Sequence, residues 1–205
     1  MAEIITIASR KGGVGKTTIA INMVVALSNK GKTLLVDADE QQSAMKWNKH
    51  RTEKIDAISI HNNLIAELEK LDSEYQYILI DVAGRDSEIF REALLISDKL
   101  IVPTQASLLD LDVIPYLNEK VKTAKKTNPN LVSMVVINRA STNAKSNETE
   151  QAREFVADYE EFKLLQTTLH ERKQYRDAVL ESKSVLEMAA SKAKDELNQF
   201  LIEVL

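Results

Sequence analysis

The stretch Ser9–Thr18, reading S-R-K-G-G-V-G-K-T-T, constrains this chain more than any other. Ahead of it, Ile4–Ala8 is an apolar run that predicts a buried strand, and behind it Ile19–Leu27 predicts a helix. A glycine-rich loop between a strand and a helix is the setting in which backbone N–H groups converge on phosphate oxygens at a helix N-terminus. Gly12, Gly13 and Gly15 supply backbone angles that side chains resist, and Val14 and Thr18 complete the cradle. Lys16 is placed to bridge β- and γ-phosphates, and the Thr17 hydroxyl to hold Mg²⁺. The competing reading is a chance glycine turn, and the flanking strand and helix weigh against it. Lys11 is an oddity, since an ordinary phosphate loop needs no lysine there. It reads either as a solvated charge or as a second cation for phosphates, in its own subunit or across a dimer.

Composition narrows the field. A chain of 205 residues with 44% hydrophobic and 28% charged residues is expected to form one α/β domain over residues 1–205 with a real core. It has no cysteine, which excludes disulfides, thiolate zinc sites and iron–sulfur clusters. The first strand begins almost at the N-terminus, leaving no room for a signal peptide, and no apolar run approaches the ~20 residues of a membrane span. A cytoplasmic protein is the expectation. The net charge is −4, so any contact with DNA must come from a local basic patch.

Continuous apolar runs alternate with helical stretches along the chain. Strands are predicted at Thr33–Val36, Ala57–Ile60, Tyr77–Asp81, Lys99–Pro103, Leu131–Asn138 and Lys163–Thr167. Helices are predicted at Gln42–Arg51, Asn63–Leu71, Asp86–Ser97, from Ser107 or Asp110 to Lys126, and at Glu148–Tyr159, with two more at the C-terminus. Ser141–Glu150 reads as the most loop-like and mobile segment. The pattern predicts a mostly parallel sheet covered by helices on both faces, with ligands at the carboxyl ends of its strands.

Polar residues at those ends are the candidates. Asp37 and Asp39, one residue apart past a strand, read either as helix-capping acids or as the groups that organise Mg²⁺ waters and the attacking water. Asp81 ends an apolar strand in the manner of a carboxylate holding Mg²⁺. Gly84, three residues on, reads as a γ-phosphate sensor or a plain turn glycine. Asn138 offers a donor and an acceptor suited to the edge of adenine, while Arg139 either flanks the base or is simply exposed.

With K-G-G-V-G-K-T-T in view, the chain resembles the ParA/MinD branch of P-loop ATPases. The resemblance implies that Lys11 contacts the nucleotide of a facing subunit in an ATP-sandwich homodimer. The V-D-A-D-E-Q segment is similar to the family's first switch, which makes Asp39 the hydrolytic carboxylate and Asp37 an outer-shell Mg²⁺ partner; Glu40 stands where proline is usual. Asp81-Val82-Ala83-Gly84 looks like the form found in small plasmid partition proteins of the ParF type. The resemblance extends to Asn138 as the base contact and to Pro103 as a residue of loop geometry. It also points to non-specific DNA binding by C-terminal cations, here Arg172, Lys173, Arg176, Lys192 and Lys194. Interspersed acids leave a mixed-sign solvated face as the other reading of that cluster.

The implied function is a nucleoid-associated ATPase that segregates plasmid or other replicon DNA. Hydrolysis would be weak alone and stimulated by a centromere-binding partner of the ParB or ParG kind. The alternatives are positioning of a protein cargo or division site, and a biosynthetic ligase of the same fold. The final helix carries Ala193, Leu197, Phe200, Leu201 and Val204 on one stripe, but Asp195, Glu196 and Glu203 make it a poor membrane anchor. It is expected to pack on the domain.

Overall fold

The sheet follows from how the apolar runs are distributed between its two faces. A computed structural model describes residues 2–71, 73–84, 87–143 and 146–205. Its strands are β1 (Glu3–Ile7), β2 (Thr33–Ala38), β3 (Asp56–Ser59), β4 (Tyr77–Val82), β5 (Lys99–Thr104), β6 (Val132–Ala140) and β7 (Lys163–His170). They form one sheet in the order β3-β2-β4-β1-β5-β6-β7, with every pairing parallel. Successive side chains alternate between faces, so each apolar run feeds two cores. Leu34, Val36, Ile78, Ile80, Leu100 and Val102 lie in one, and Leu35, Leu79, Ile101, Ile5 and Ile7 in the other.

The first core is covered by α3 (Leu64–Glu69), α4 (Glu88–Ile96), α6 (Ile114–Ala124) and α7 (Glu148–Ala157). The second is covered by α1 (Lys16–Ser28), α2 (Ser43–Lys49), α8 (Lys173–Leu180) and α9 (Lys192–Val204). The apolar stripe of α9 is buried as expected, with Phe200 fully enclosed. Two α9 carboxylates also close the edge strand. Glu203 accepts the Gln166 and Thr167 N–H groups, and Glu196 accepts that of His170. Backbone donors that would otherwise invite another strand are thereby satisfied.

Several boundaries depart from the sequence reading. The single helix expected up to Lys126 breaks into α5 (Leu108–Leu111) and α6. Pro115 sits in the first turn of α6. Its ring and missing N–H are tolerated there but would clash within a continuous helix. The apolar stretch around the break is mostly core, since Leu111, Val113 and Ile114 are buried, but Leu109 is 73% exposed. Pro103, expected at the end of its strand, lies one residue inside β5, paired in register with Val136. The Ile101 carbonyl points toward β1 and accepts the Ala8 N–H, so the Pro103 nitrogen faces the same side, beyond where β1 has ended. The start of the α4 prediction at Asp86 lies outside the described residues, and Ser87 caps that helix by accepting from Phe90 N. Within Ser141–Glu150, Ala144 and Lys145 also lie outside them, and α7 already begins at Glu148.

Strand β1 sits between β4 and β5, and the chain leaves it toward β2 on one side and later crosses to β5 on the other. The carboxyl end of β1 is therefore the topological switch point, where open parallel sheets bind ligands.

Candidate nucleotide-binding site

The loop from Ser9 to Gly15 leaves β1 at that switch point. Gly13 and Gly15 have φ of +77° and +91°, in the region where side chains are strained. A Cβ on Gly15 would also stand 2.4 Å from Asn138 Nδ2. Gly15 is thus required twice, once by its own backbone and once by its neighbour. Lys16 opens α1 and is only 8% exposed. Its Nζ donates to the Lys11 carbonyl at 3.1 Å. Burial lowers the pKa of this amine, and the charges of Asp81 and Asp39 partly offset that loss. Gly84 closes on the same group: a Cβ there would lie 3.2 Å from Lys16 Nζ.

Two carboxylates sit side by side beneath the loop. Asp37 and Asp81 are register partners on adjacent strands, both in line with Ile7 of β1. The alternation that sends Leu35, Leu79 and Ile7 to the α1 face sends these carboxylates there too. Asp37 is therefore within β2 and fully buried, not past its end as the sequence suggested. Thr17 Oγ1 donates to Asp81 Oδ2 at 2.7 Å, while Asp81 Oδ1 is buried with no hydrogen-bond partner among the described residues. Burial pushes the Asp81 pKa up to about 7; the Thr17 bond opposes the shift and Asp37 adds to it. Asp37 accepts from Asp39 N through Oδ1 and from Met45 N through Oδ2, at 3.1 and 2.9 Å. The capping reading of Asp37 is realised at the start of α2. Asp39 leaves the strand, accepts from Gln41 N at 2.9 Å, and lines the cleft.

That cleft has a volume of about 980 Å³ and runs from Asp39 and Gln41 over Lys16, Thr17 and Thr18 to Arg139 and Tyr175. Burial holds the Tyr175 phenol well above its usual pKa. Asn138 and Arg139, within β6 rather than past it, brace the loop from the side. Asn138 Nδ2 donates to the Val14 carbonyl at 2.7 Å. Arg139, at φ +53°, donates from Nη1 to the Gly13 carbonyl at 2.5 Å. Lys11 points away from the cleft floor, its Nζ donating to the Leu109 carbonyl at 2.7 Å.

Among the described residues no group of three or more His, Asp or Glu could hold a metal by itself. The fit to a magnesium nucleotide is nonetheless good. Mg²⁺ is commonly held by one or two side chains together with substrate phosphates, and Asp81 Oδ1 is a buried acceptor that lacks a donor among the described residues.

The C-terminal cations are dispersed among different duties. Arg172 is bound to Glu196 through Nε and Nη2, which raises its already high pKa. Lys173 pairs with Asp177 at 3.2 Å and Arg176 with Glu171 at 3.0 Å. Lys194 Nζ donates to the Met188 carbonyl at 3.0 Å, and Lys192 is exposed at the start of α9. Sequence reasoning counted Glu171 only among the interspersed acids; in the fold it holds both Arg139 and Arg176. It passed over Asn22, a buried polar residue in the apolar helix α1.

A seven-stranded parallel sheet with a glycine loop, a loop lysine and a strand-end aspartate at its switch point defines a P-loop nucleotide-binding α/β protein. Residues 5–185 match the family model described as CobQ/CobB/MinD/ParA nucleotide binding domain, and the chain belongs to that family. It is 31% identical over 209 residues, 98% of this chain and 95% of the relative, to the maintenance of carboxysome distribution protein A of Halothiobacillus neapolitanus. Among solved structures, apo McdA from Cyanothece superposes with a TM-score of 0.85 at 18% identity, covering 99% of both chains. A putative plasmid partition protein from Borrelia burgdorferi B31, bound to AMPPNP, superposes with a TM-score of 0.79 at 24% identity, covering 99% of this chain and 98% of that one. These two likenesses speak to the fold. Among the described residues no helix is long and apolar enough to cross a membrane.

Proposed function

We propose that this chain is an ATPase that assembles a two-fold dimer around Mg²⁺ and ATP and dismantles it by hydrolysis, so that the lifetime of the dimer positions a cargo. The observation that carries this reading is the floor of the cleft. Asp81 has one oxygen on Thr17 and the other buried without a donor among the described residues, next to a desolvated lysine. Bound there, Mg²⁺ would withdraw charge from the phosphates. Thr17 and Asp81 would hold it, with Asp37 behind them. Lys16 would neutralise phosphate oxygens in a site where burial strengthens the attraction. Asp39 is the carboxylate at the rim, with one oxygen on the Gln41 N–H, and is suited to orienting water. Lys11 would first leave the Leu109 carbonyl and then reach a facing subunit, a requirement that a ligase of this fold does not have.

The relative aligned along nearly the whole chain is named for carboxysome distribution, which supports a protein assembly as cargo. The plasmid partition likeness supports the second reading, replicon DNA captured through a ParB- or ParG-like partner. Both readings would use transient, non-specific DNA contact, for which Lys173, Arg176 and Lys192 are the more accessible candidates: the Lys173 and Arg176 side chains are 80% and 64% exposed against 23% for Arg172, and Lys194 is turned to the Met188 carbonyl.

Steady-state ATP hydrolysis and nucleotide affinity, measured separately with Mg²⁺, test the chemistry. Asp39→Ala is expected to lower turnover by about tenfold or more while affinity stays within about threefold. Unchanged turnover would remove Asp39 from the mechanism.

A further inference from the structure

The far end of the first switch segment is held by an ion pair whose arginine is buried and whose carboxylate is partly exposed. Arg51, following α2, has a side chain only 5% exposed. Its guanidinium makes two bonds of 2.8 Å to the Glu187 carboxylate and donates to the Ser182 and Glu53 carbonyls at 3.1 and 2.9 Å. The Trp47 ring stacks under it at 4.6 Å, and Trp47 Nε1 donates to the Lys183 carbonyl. Glu187 also accepts from Ser184 N at 2.6 Å. Ser184 Oγ and Val185 N in turn reach Asn22 Oδ1, whose amide donates to the Thr18 carbonyl in the first turn of α1. A continuous chain of polar contacts thus joins the start of the phosphate-loop helix to the end of α2. The other end of α2 rests on Asp37 through Met45 N.

We infer that Arg51 and Glu187 are positioning residues for the hydrolytic site, fixing α2 against the C-terminal segment so that Asp37 and Asp39 keep their places beside Lys16. A segment of only seven residues cannot set its own orientation, and here both of its ends are tied to groups that are themselves held. The bidentate geometry needs a guanidinium, because a lysine ammonium cannot bind both carboxylate oxygens in the same plane while also reaching two carbonyls. Glu187 is shaped for the pair as well. Burial would raise its pKa, yet Arg51 and the Ser184 N–H hold it below the usual carboxylate range.

The inference rests on the ATPase reading, and its test keeps the two apart. The variants are Glu187→Gln and Arg51→Lys, each assayed in the full chain for turnover and for the affinity of a fluorescent ATP analogue. Trp47, the sole tryptophan, supplies a local optical readout. Both variants are expected to lose turnover by about fivefold or more with affinity within about twofold, and Trp47 emission is expected to shift to the red. In the wild type, Trp47 emission is expected to stay put when AMPPNP and Mg²⁺ bind, because the anchor does not move. Wild-type turnover in either variant, equal losses of turnover and affinity, or a nucleotide-dependent Trp47 shift in the wild type would each overturn the inference. If a variant fails to fold, the wild-type Trp47 measurement decides alone. A wild type that binds nucleotide without hydrolysing it would overturn the functional reading, and Trp47 would still report on the anchor.

Discussion

At the scale of single residues, the phosphate loop is the part of the molecule most tightly specified. Gly15 combines a φ of +91° with a neighbour that would meet any Cβ at 2.4 Å. Gly15→Ala is expected to cost about 1–2 kcal/mol for the left-handed backbone alone, with more from displacing Asn138. Nucleotide titration should show affinity largely lost, and an affinity equal to wild type would contradict the placement of Asn138 against the loop. Most of the loop was legible in the sequence, because glycines before a lysine and two threonines have few other uses between a strand and a helix. The partners of its side chains were not. That Asn138 spends an N–H on Val14 and that Lys11 rests on Leu109 depend on chain segments far apart in sequence.

At the scale of elements, β2 and β4 matter most, because their register puts Asp37 beside Asp81. Apolar runs ending in carboxylates announced both strands, but only the sheet order reveals that the strands are neighbours. Helix limits were read less well. The break between α5 and α6 was signalled by Pro115, whose residue type outweighs the helical periodicity around it. The last strand runs to His170, past the expected end at Thr167, because Thr168 and His170 pair with β6 and Glu196 accepts the His170 N–H. Helix α1 offers a test at this scale. Asn22 accepts from Ser184 Oγ and Val185 N, so Asn22→Leu should leave both donors buried and unpaired. A loss of roughly 1–3 kcal/mol in urea unfolding is expected, and a loss of only a few tenths would mean that the contact between α1 and the C-terminal segment contributes little.

At the scale of the whole molecule, acid sensitivity should come from the C-terminal edge. Burial alone would raise the pKa of Glu203, but the Thr167 hydroxyl and the Gln166 and Thr167 N–H groups hold it below its usual value. A carboxyl depressed in the folded state contributes stability above its unfolded pKa of about 4.3, and the contribution fades as pH falls through the folded value. The gap in urea midpoint between wild type and Glu203→Gln should therefore be wide at pH 7 and shrink as the pH drops below about 4. A gap independent of pH would show that the carboxylate charge plays no part in closing the edge strand.

The central claim concerns two copies of the molecule, and it turns on a lysine whose ammonium is held by a carbonyl outside the floor of its own site. Lys11 lies beside the cleft, yet its ammonium is directed to the Leu109 carbonyl on an exposed segment rather than into the floor of its own site. Light scattering coupled to size exclusion, with Mg²⁺ and ATP present, tests the claim most directly in the wild type and in Lys11→Ala. The account predicts a nucleotide-dependent dimer for the wild type and a monomer that still binds nucleotide for the variant. A variant that dimerises as the wild type does, or a wild type that stays monomeric when saturated with nucleotide, would contradict it.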